Sequence, residues 1–229
     1  MTEAAQLAKL AGLLADETRA TFCLALLDGR AWTAGELARH ARVAPSTATE
    51  HLHRLIKGGF LVEDRQGRHR YVRLAGPSVA ALVEDLSSHL TPDPPARTLR
   101  AATVASAMAR ARTCYDHFAG RLGVAIADAM TGAGLLDQDS GIALTAAGQA
   151  WLTDVFGADP SRPSRRPLAR GCLDWTERRL HLAGQAGAQI CRHAQDHGWV
   201  RPIGSSRAVQ VTPDGTVALK QHLDLEWVG

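Results

Sequence analysis

A helix that is apolar on one face and polar on the other constrains the fold of this chain most strongly. Over residues 45–57, Ala48, Leu52 and Leu55 recur at the three- and four-residue spacing of one helical face, and the positions between them are mostly polar. Pro45 suits the first turn of this helix, because that turn needs no intrahelical donor. The helix is therefore expected to pack through one face and to present the other to solvent or to a partner.

A hairpin follows this helix directly. Gly58 and Gly59 end the helix, residues 60–62 open an apolar strand, and residues 71–74 form the returning strand after a turn at Gly67. Basic side chains are concentrated at the tip of this hairpin. The sequence therefore predicts a helix joined to a basic two-stranded wing.

A shorter helix precedes this pair at helix-turn-helix spacing. Thr33 and Glu36 have the spacing of a capping box, in which two side chains satisfy backbone amides at the start of a helix. That helix carries Leu37 and Ala38 inward, and a tight turn at residues 42–43 leads to the next helix. Two helices joined in this way and followed by a hairpin are typical of winged-helix domains that read DNA.

The position of the charge supports DNA binding better than its amount does. The 229-residue chain has a formal net charge of only +3, but residues 33–74 contain eight Lys and Arg against four Asp and Glu. A duplex backbone attracts such a local surplus.

The sequence has no apolar run near the roughly 18 residues that a bilayer requires, and its amino terminus lacks the features of a signal peptide. We therefore expect a cytoplasmic protein without a membrane partner.

The second half of the chain contains an internal repeat. Three pairs of positions match in the same order in the two copies: His117 with His181, Gly134 with Gly198, and Thr145 with Thr212. Each copy is expected to begin with a helix at its histidine, followed by a short hairpin and then by a turn or helix after the threonine. This order is that of a degenerate helix-plus-wing unit.

These patterns predict a fold that is mainly α with small β-hairpins (α+β). A winged helix-turn-helix domain is expected over residues 1–90, and a helical domain with two winged-helix-like repeats over residues 97–229. The repeats are expected at about residues 110–155 and 172–222. Two further segments are the proline cluster at 91–95, interpreted as the domain boundary, and the basic Pro/Ser loop at 159–167, interpreted as a linker or a phosphate contact.

Four segments, at residues 15–20, 46–52, 59–62 and 67–72, together resemble the ArsR/SmtB family of dimeric bacterial winged-helix repressors. The resemblance covers roughly residues 4–90, and the second half is similar to the extension of longer family members. It implies a homodimer built from the first and last helices of the amino-terminal domain. It also implies binding to an inverted-repeat operator in double-stranded DNA until an inducer releases the protein.

The resemblance also places individual side chains at the DNA. The residues expected there are Ser46, Thr47, Thr49, Glu50, His51, His53, Arg54, Arg65, Arg68 and Arg70. His51 and Arg54 either brace the helix or reach the DNA backbone, and Glu50 either accepts from a cytosine amino group or remains solvated. Ala44 departs from the serine usual at the helix cap. Direct base reading therefore rests on few side chains.

The two usual metal sites of the family are not expected here. The helix at residues 36–41 has no cysteine, and Glu84, Asp85 and His89 are too sparse for the site on the last dimer helix. The four cysteines of the whole chain also form no Cys-x-x-Cys pair, which argues against a disulfide scaffold and a structural zinc site. No cofactor is therefore required.

Candidate sensor residues lie at the start of the two repeats. They are Cys114, His117, Cys172 and His181, with Tyr115, Trp175 and Arg179 nearby in the sequence. If the repeats pack with pseudo-symmetry, the two thiols and two imidazoles converge, which would suit a thiophilic metal ion, or a redox switch through the thiols alone. A small-molecule inducer near the three neighbouring residues is a further option, and so is plain packing. Cys23 and Cys191 are expected only to pack.

The favoured interpretation is a sequence-specific DNA-binding transcriptional regulator, a dimeric repressor released by an inducer that acts on the carboxy-terminal domain. Two alternatives are a winged-helix module for protein contacts and a thiol-dependent enzyme that uses Cys114 or Cys172. The sequence has no phosphate-binding glycine loop, nucleophile elbow or paired-carboxylate motif, so no enzymatic activity is expected.

Overall fold

The computed structural model describes residues 2–67, 69–90, 99–139, 141–157, 166–204 and 206–228. The chain divides into two compact units, Met1–Glu84 and Asp85–Gly229. Arg68, the proline cluster at 91–95 and most of the loop at 159–167 lie outside the described residues. Helices and short antiparallel strands make up both units, so the predicted α+β class is confirmed.

The described helices are α1 (Glu3–Leu14), α2 (Glu17–Leu26), α3 (Ala34–Ala41), α4 (Pro45–Lys57), α5 (Pro77–Ser88), α6 (Leu99–Arg110), α7 (Gly120–Gly132), α8 (Ala146–Phe156), α9 (Gly184–Asp196) and α10 (Pro213–Leu223). The described strands are β1 (Trp32–Thr33), β2 (Leu61–Gln66), β3 (His69–Leu74), β4 (Arg112–Cys114), β5 (His117–Ala119), β6 (Leu136–Asp137), β7 (Ala143–Leu144), β8 (Arg170–Leu173), β9 (Leu180–Ala183), β10 (Val200–Pro202) and β11 (Val209–Val211).

The first unit contains the predicted helix-turn-helix. The capping box of α3 is present: the Glu36 amide donates to the Thr33 hydroxyl, and the Thr33 amide donates to the Glu36 carboxylate at 2.7 Å. Arg42 adopts a left-handed conformation, with φ of 57°, and so forms the tight turn into α4. Leu52 and Leu55 of α4 are buried, as the helical spacing predicted. The opposite face of α4 is therefore held outward.

The wing is the β2–β3 hairpin, which runs antiparallel from Leu61 opposite Leu74 to Gln66 opposite His69. The sequence did not indicate β1, which adds a third strand by pairing Trp32 with Val72. A strand of two residues is too short to show an alternating pattern. Strand β1 connects the start of α3 to the wing through its pairing with β3.

In the second unit the same order of elements occurs twice: a hairpin, a helix, a second hairpin and a second helix. The first series is β4–β5, α7, β6–β7 and α8, and the second is β8–β9, α9, β10–β11 and α10. One apolar core contains residues of both series, among them Leu122 and Ile126 of α7, Leu182 of β9 and Ile190 of α9. The two series therefore share a single core.

The threonine and glycine matches between the repeats have a local cause. Thr145 caps α8 by accepting from the Gly148 amide at 3.0 Å, and Thr212 caps α10 by accepting from the Gly215 amide at 3.0 Å. A side chain at Gly148 would meet a backbone carbonyl at 2.0 Å, as would one at Gly215. Only glycine fits both places.

One prediction for the repeats was wrong. His117 and His181 do not begin helices; they lie on β5 and β9, and the helices begin three residues later, at Gly120 and Gly184. Both glycines have positive φ, 71° and 85°, which redirects the chain from strand to helix. Strands of three and four residues carry too little pattern to be distinguished from the start of a helix.

Candidate functional site

The outward face of α4 carries the predicted DNA-contacting side chains. Ser46, Thr49, Glu50, His53 and Arg54 are exposed there. Thr47 is half-buried. This face is polar and exposed, as is typical of a helix that enters a major groove.

Two local features of α4 leave hydrogen-bond donors available to a phosphate. Ala44 supplies no side-chain cap to α4, so the first amides of the helix are open to an outside acceptor such as a phosphate. Glu50 and Arg54 form an exposed ion pair of 2.5 Å across one turn. Such an exposed pair is worth little, so Arg54 can exchange its partner for a phosphate at small cost.

His51 differs from its neighbours on α4, because it is half-buried and is turned toward the start of α2. Its Nδ1 lies 3.3 Å from the Arg19 guanidinium and 3.5 Å from an Asp16 carboxylate oxygen. Arg19 also donates to the carbonyls of Leu13 and Gly12, at 2.6 Å and 2.9 Å. Of the two roles predicted for His51, these contacts support the brace, with Asp16 and Arg19 as its partners.

The wing presents its arginines next to carboxylates. Arg65 lies 3.3 Å from Glu63, Arg70 also pairs with Glu63, and Arg73 lies 2.7 Å from Asp64. The arginine side chains are 45% to 72% exposed, so these pairs are weak and salt-sensitive. The guanidinium groups are therefore available to phosphates.

In the second unit, the structure brings four sensor candidates together. Ligand atoms of Cys114, His117, Cys172 and His181 all lie within 4.8 Å of one another, and we call these residues the Cys/His cluster. Each hairpin supplies one cysteine and one histidine as direct cross-strand partners, Cys114 opposite His117 and Cys172 opposite His181. All four side chains are buried, with exposed fractions of 0% to 5%. The convergence expected from pseudo-symmetry is present.

Each histidine of the cluster also faces a carboxylate. The Nδ1 of His117 lies 3.3 Å from Asp116, and the Nδ1 of His181 lies 3.3 Å from Asp174. An arginine neutralises each carboxylate: Arg166 donates to Asp116 at 2.6 Å, and Arg112 donates to both oxygens of Asp174 at 2.9 Å. These carboxylates were not predicted from the sequence, although each follows a cluster cysteine by two positions. That shared Cys-x-Asp spacing was the available signal.

The cysteines differ in acidity according to their surroundings. A hydrogen bond with Cys114 is the largest cause that lowers the pKa of Cys172 well below its usual range, with further lowering by His117 and His181, against the burial that acts to raise it. Burial raises the pKa of Cys23 and of Cys191 to about 12. The cluster therefore favours a thiolate, whereas the other two cysteines are neutral packing residues, as expected.

Both carboxylates beside the cluster are ionised. Burial acts to raise the pKa of Asp174, but its close contact with His181 and the charge of Arg112 hold that pKa far below its usual range. Burial likewise opposes ionisation of Asp116, and its contacts with His117 and Arg166 lower the pKa overall. Charged acceptors therefore stand beside both histidine Nδ1 atoms.

Two glycines let the repeats approach each other at the cluster. A side chain on Gly123 of the first repeat would lie 3.4 Å from the His181 Cβ, and one on Gly187 of the second would lie 3.1 Å from the His117 Cβ. Each would also meet the carbonyl of the preceding hairpin at 2.4 Å. Each glycine therefore leaves room for the histidine of the other repeat. The close approach has the same form on both sides of the cluster.

The three residues suggested for a small molecule take separate roles. Tyr115 forms the tip of the first hairpin with a left-handed φ of 57°. Trp175 packs its ring against Arg112, whose Cζ lies 4.7 Å from the ring centroid. Arg179 is exposed and pairs with Asp128 at 2.6 Å. Arg179 is thus engaged with α7 and not with the Cys/His cluster.

Helices α3 and α4 with the adjoining wing define the class of this protein, a winged helix-turn-helix protein of the kind that binds DNA. A family model described as a helix-turn-helix domain matches residues 14–64. Over 222 residues the chain is 35% identical to the uncharacterized HTH-type transcriptional regulator YdfF of Bacillus subtilis, a match that covers 96% of this chain and 98% of that protein. The chain therefore belongs to the HTH-type transcriptional regulators, and its recognition from the sequence as an ArsR/SmtB-like winged-helix regulator is confirmed.

Solved structures show partial likeness. The cadmium sensor CMTR of Mycobacterium tuberculosis is 33% identical and covers 40% of this chain and 96% of its own, with a TM-score of 0.32. The homodimeric winged helix-turn-helix fragment of Mb0332 from Mycobacterium bovis is 27% identical and covers 38% of this chain and 83% of its own, with a TM-score of 0.34. Within the described part of the chain, no helix has the length and apolar character needed to cross a membrane.

Proposed function

We propose that this regulator is a dimeric, sequence-specific repressor, in which α4 reads the major groove of an inverted-repeat operator and the wing contacts the backbone. An inducer that acts on the second unit releases it. The observation that carries the proposal is the outward polar face of α4, with its uncapped first turn, next to a wing with exposed arginines.

Electrostatics favour a nucleic-acid partner over a protein partner for this face. Between residues 33 and 74 the basic residues outnumber the acidic ones by eight to four, while the whole chain has a surplus of only three. The helix dipole adds positive potential at the uncapped start of α4. Phosphates can replace the exposed Glu63 contacts of Arg65 and Arg70 with little loss.

A dimer is supported by the surface of α1. Every residue of this helix is exposed or half-buried, and Leu7 and Leu10 are 66% and 40% exposed. Apolar side chains at helical spacing on one exposed helix suit a partner helix, as the ArsR/SmtB resemblance implies. Two copies of α4 related by a two-fold axis would read the two halves of an inverted repeat.

The second unit is suited to receive the signal, because it buries an ionisable cluster. Two histidines, two cysteines and the ion pair of Arg112 with Asp174 lie inside it with exposed fractions of 5% or less. Burying so many polar groups is costly, and such clusters are more frequent at functional sites than in plain cores. We assign inducer recognition to this cluster.

The wing role can be tested with Arg65→Ala/Arg70→Ala in the full-length protein. The operator is first selected from a random duplex pool by the wild-type protein, and affinity is then measured at several salt concentrations. Removal of the two guanidinium groups should weaken binding and reduce the slope of log affinity against log salt by about 0.9 for each phosphate that is no longer neutralised. Arg179→Ala, which removes an equally exposed charge from the second unit, should leave the slope unchanged.

Two results would contradict the proposal. Failure of the wild-type protein to enrich any duplex would favour a module for protein contacts. An unchanged affinity and salt slope in the double variant would remove the wing from the interface. Sedimentation of the same samples measures the oligomeric state, and a monomer at working concentration would exclude the dimeric mode of operator binding.

A further inference from the structure

We propose that Cys114, His117, Cys172 and His181 bind one thiophilic divalent cation of the zinc class in a tetrahedral site that joins the two repeats of the second unit. As the identity of the inducer, this ion depends on the repressor function proposed above. As a binding site, it stands on the geometry of the second unit alone.

The donor set and its spacing fit such an ion. Two cysteine sulfurs and two imidazole nitrogens are the ligands of tetrahedral zinc centres. The Nε2 atoms of His117 and His181 are 3.1 Å apart, close to the roughly 3.3 Å expected for two nitrogens on one tetrahedral zinc. The remaining ligand atoms lie within 4.8 Å of one another, so small side-chain rotations complete the site.

The carboxylates orient the imidazoles for metal binding. The His117 Nδ1 is hydrogen-bonded to Asp116 at 3.3 Å, and the His181 Nδ1 lies 3.3 Å from Asp174 in a contact that lacks hydrogen-bond geometry. A carboxylate beside Nδ1 leaves the Nε2 atom for a metal. The two Nε2 atoms face each other across 3.1 Å, at hydrogen-bond distance. A cation between them would take a lone pair from each ring in place of that hydrogen bond. A carboxylate therefore stands beside the Nδ1 of each histidine, once in each repeat.

The charge balance favours a divalent ion over a monovalent one. Arg112 neutralises Asp174, and Arg166 neutralises Asp116, at 2.9 Å and 2.6 Å. The cluster itself then contributes two thiolates once the ion is bound, and any thiol proton that the ion displaces goes to solvent. A divalent cation makes the buried assembly neutral, whereas a monovalent ion would leave a net negative charge in an environment that penalises it.

A disulfide between Cys114 and Cys172 explains less of the structure. It would use the two sulfurs but would give no role to the histidines or to the two carboxylates that orient them. Both cysteines are also 5% exposed or less, which restricts the access of an oxidant. The metal site uses all four buried groups, so it accounts for their burial together.

The direct test is a titration of the reduced full-length protein with Co²⁺, which replaces zinc and reports its ligands by colour. We expect saturation at one ion per chain, a thiolate-to-cobalt charge-transfer band, the visible absorption of a tetrahedral centre, and displacement by Zn²⁺. Cys114→Ser/Cys172→Ser should abolish the charge-transfer band. Cys191→Ala removes a buried thiol outside the cluster and should keep it.

A second measurement needs no variant and so does not depend on the folding of one. Alkylation of the wild-type protein in mild denaturant, followed by mass spectrometry, should be slowed by Zn²⁺ at Cys114 and Cys172 but not at Cys23. If Zn²⁺ changes the alkylation rate of neither Cys114 nor Cys172, the proposed site is wrong. A cobalt band that persists in the double variant, or a Cys114–Cys172 disulfide in place of metal uptake, would also overturn the site.

Operator binding distinguishes the failure of this proposal from that of the proposed function. If Co²⁺ binds as expected and operator affinity falls on metal addition, the ion is the inducer. If Co²⁺ binds but operator affinity does not change, the site stands and its role as the signal is wrong. If the protein binds operator but takes up no metal, the regulator stands and the site is wrong.

Discussion

Replacing Asp174 by Asn should destabilise the second unit strongly, because this carboxylate satisfies donors from both repeats. One oxygen accepts from the Thr176 amide and hydroxyl, at 2.9 Å and 2.7 Å, and from the Glu177 amide at 3.0 Å. The other accepts from the Gly120 amide at 2.6 Å, and Arg112 donates to both. An asparagine would place its amide nitrogen against donors in either orientation, so rotation of the side-chain amide would not avoid the conflict.

The expected cost follows from the burial of Arg112. Both Arg112 and Asp174 have side chains that are 0% exposed. Removing one partner of a fully buried ion pair leaves an uncompensated charge and typically costs about 3–5 kcal/mol. A domain of ordinary stability has only about 5–15 kcal/mol in total. Asp174→Asn should therefore remove a large share of the free energy of unfolding of the second unit.

Urea unfolding with a chelator present measures this cost without a contribution from bound metal. Trp175, which packs on Arg112, is a natural fluorescence reporter. Asp128→Asn breaks the exposed pair with Arg179 and should cost no more than about 1 kcal/mol. Adding Arg112→Met to Asp174→Asn should recover part of the stability, since it removes the buried guanidinium charge that has lost its partner. A cost for Asp174→Asn no larger than that of the exposed control would refute the reasoning.

Two further predictions concern the packing and the metal site. Gly123→Ala should lower stability by about 1–3 kcal/mol, because the new Cβ meets the Phe118 carbonyl at 2.4 Å. Gly132→Ala, in the same helix but with no atom within 4 Å of the new Cβ, should be neutral or slightly stabilising in the same thermal melts. Asp116→Asn should weaken Co²⁺ affinity by about 10- to 100-fold while the spectrum keeps the same ligands; an unchanged affinity would show that this carboxylate does not orient His117.

The parts of the fold that could be predicted are those fixed by local chemistry. The capping box of Thr33 and Glu36 acts over three residues, so its spacing is visible in the sequence and its hydrogen bonds are present in the structure. The buried positions Leu52 and Leu55 follow from helical spacing in the same way. Such features need no knowledge of distant partners.

The features that were missed or misplaced depend on distant residues or on very short strands. Asp174 contacts Arg112 across 62 positions, and no local pattern indicates that pairing. The absence of a Cys-x-x-Cys pair argued against a zinc site, but each hairpin here places its cysteine opposite a histidine on the neighbouring strand. In the second repeat, eight residues separate Cys172 from His181, against two in the first, which hides the match.

The duplication explains why this cluster needs two repeats. One hairpin presents one cysteine and one histidine, which is only half of a tetrahedral ligand set. Gly123 and Gly187 let the second half come close, because a Cβ at either position would lie against the histidine of the other repeat. An ion at this place would therefore bind tightly only when the repeats are packed against each other. Any effect on DNA binding must then begin as a change in the packing of the two repeats, and variants at these glycines should alter metal affinity without removing a single ligand.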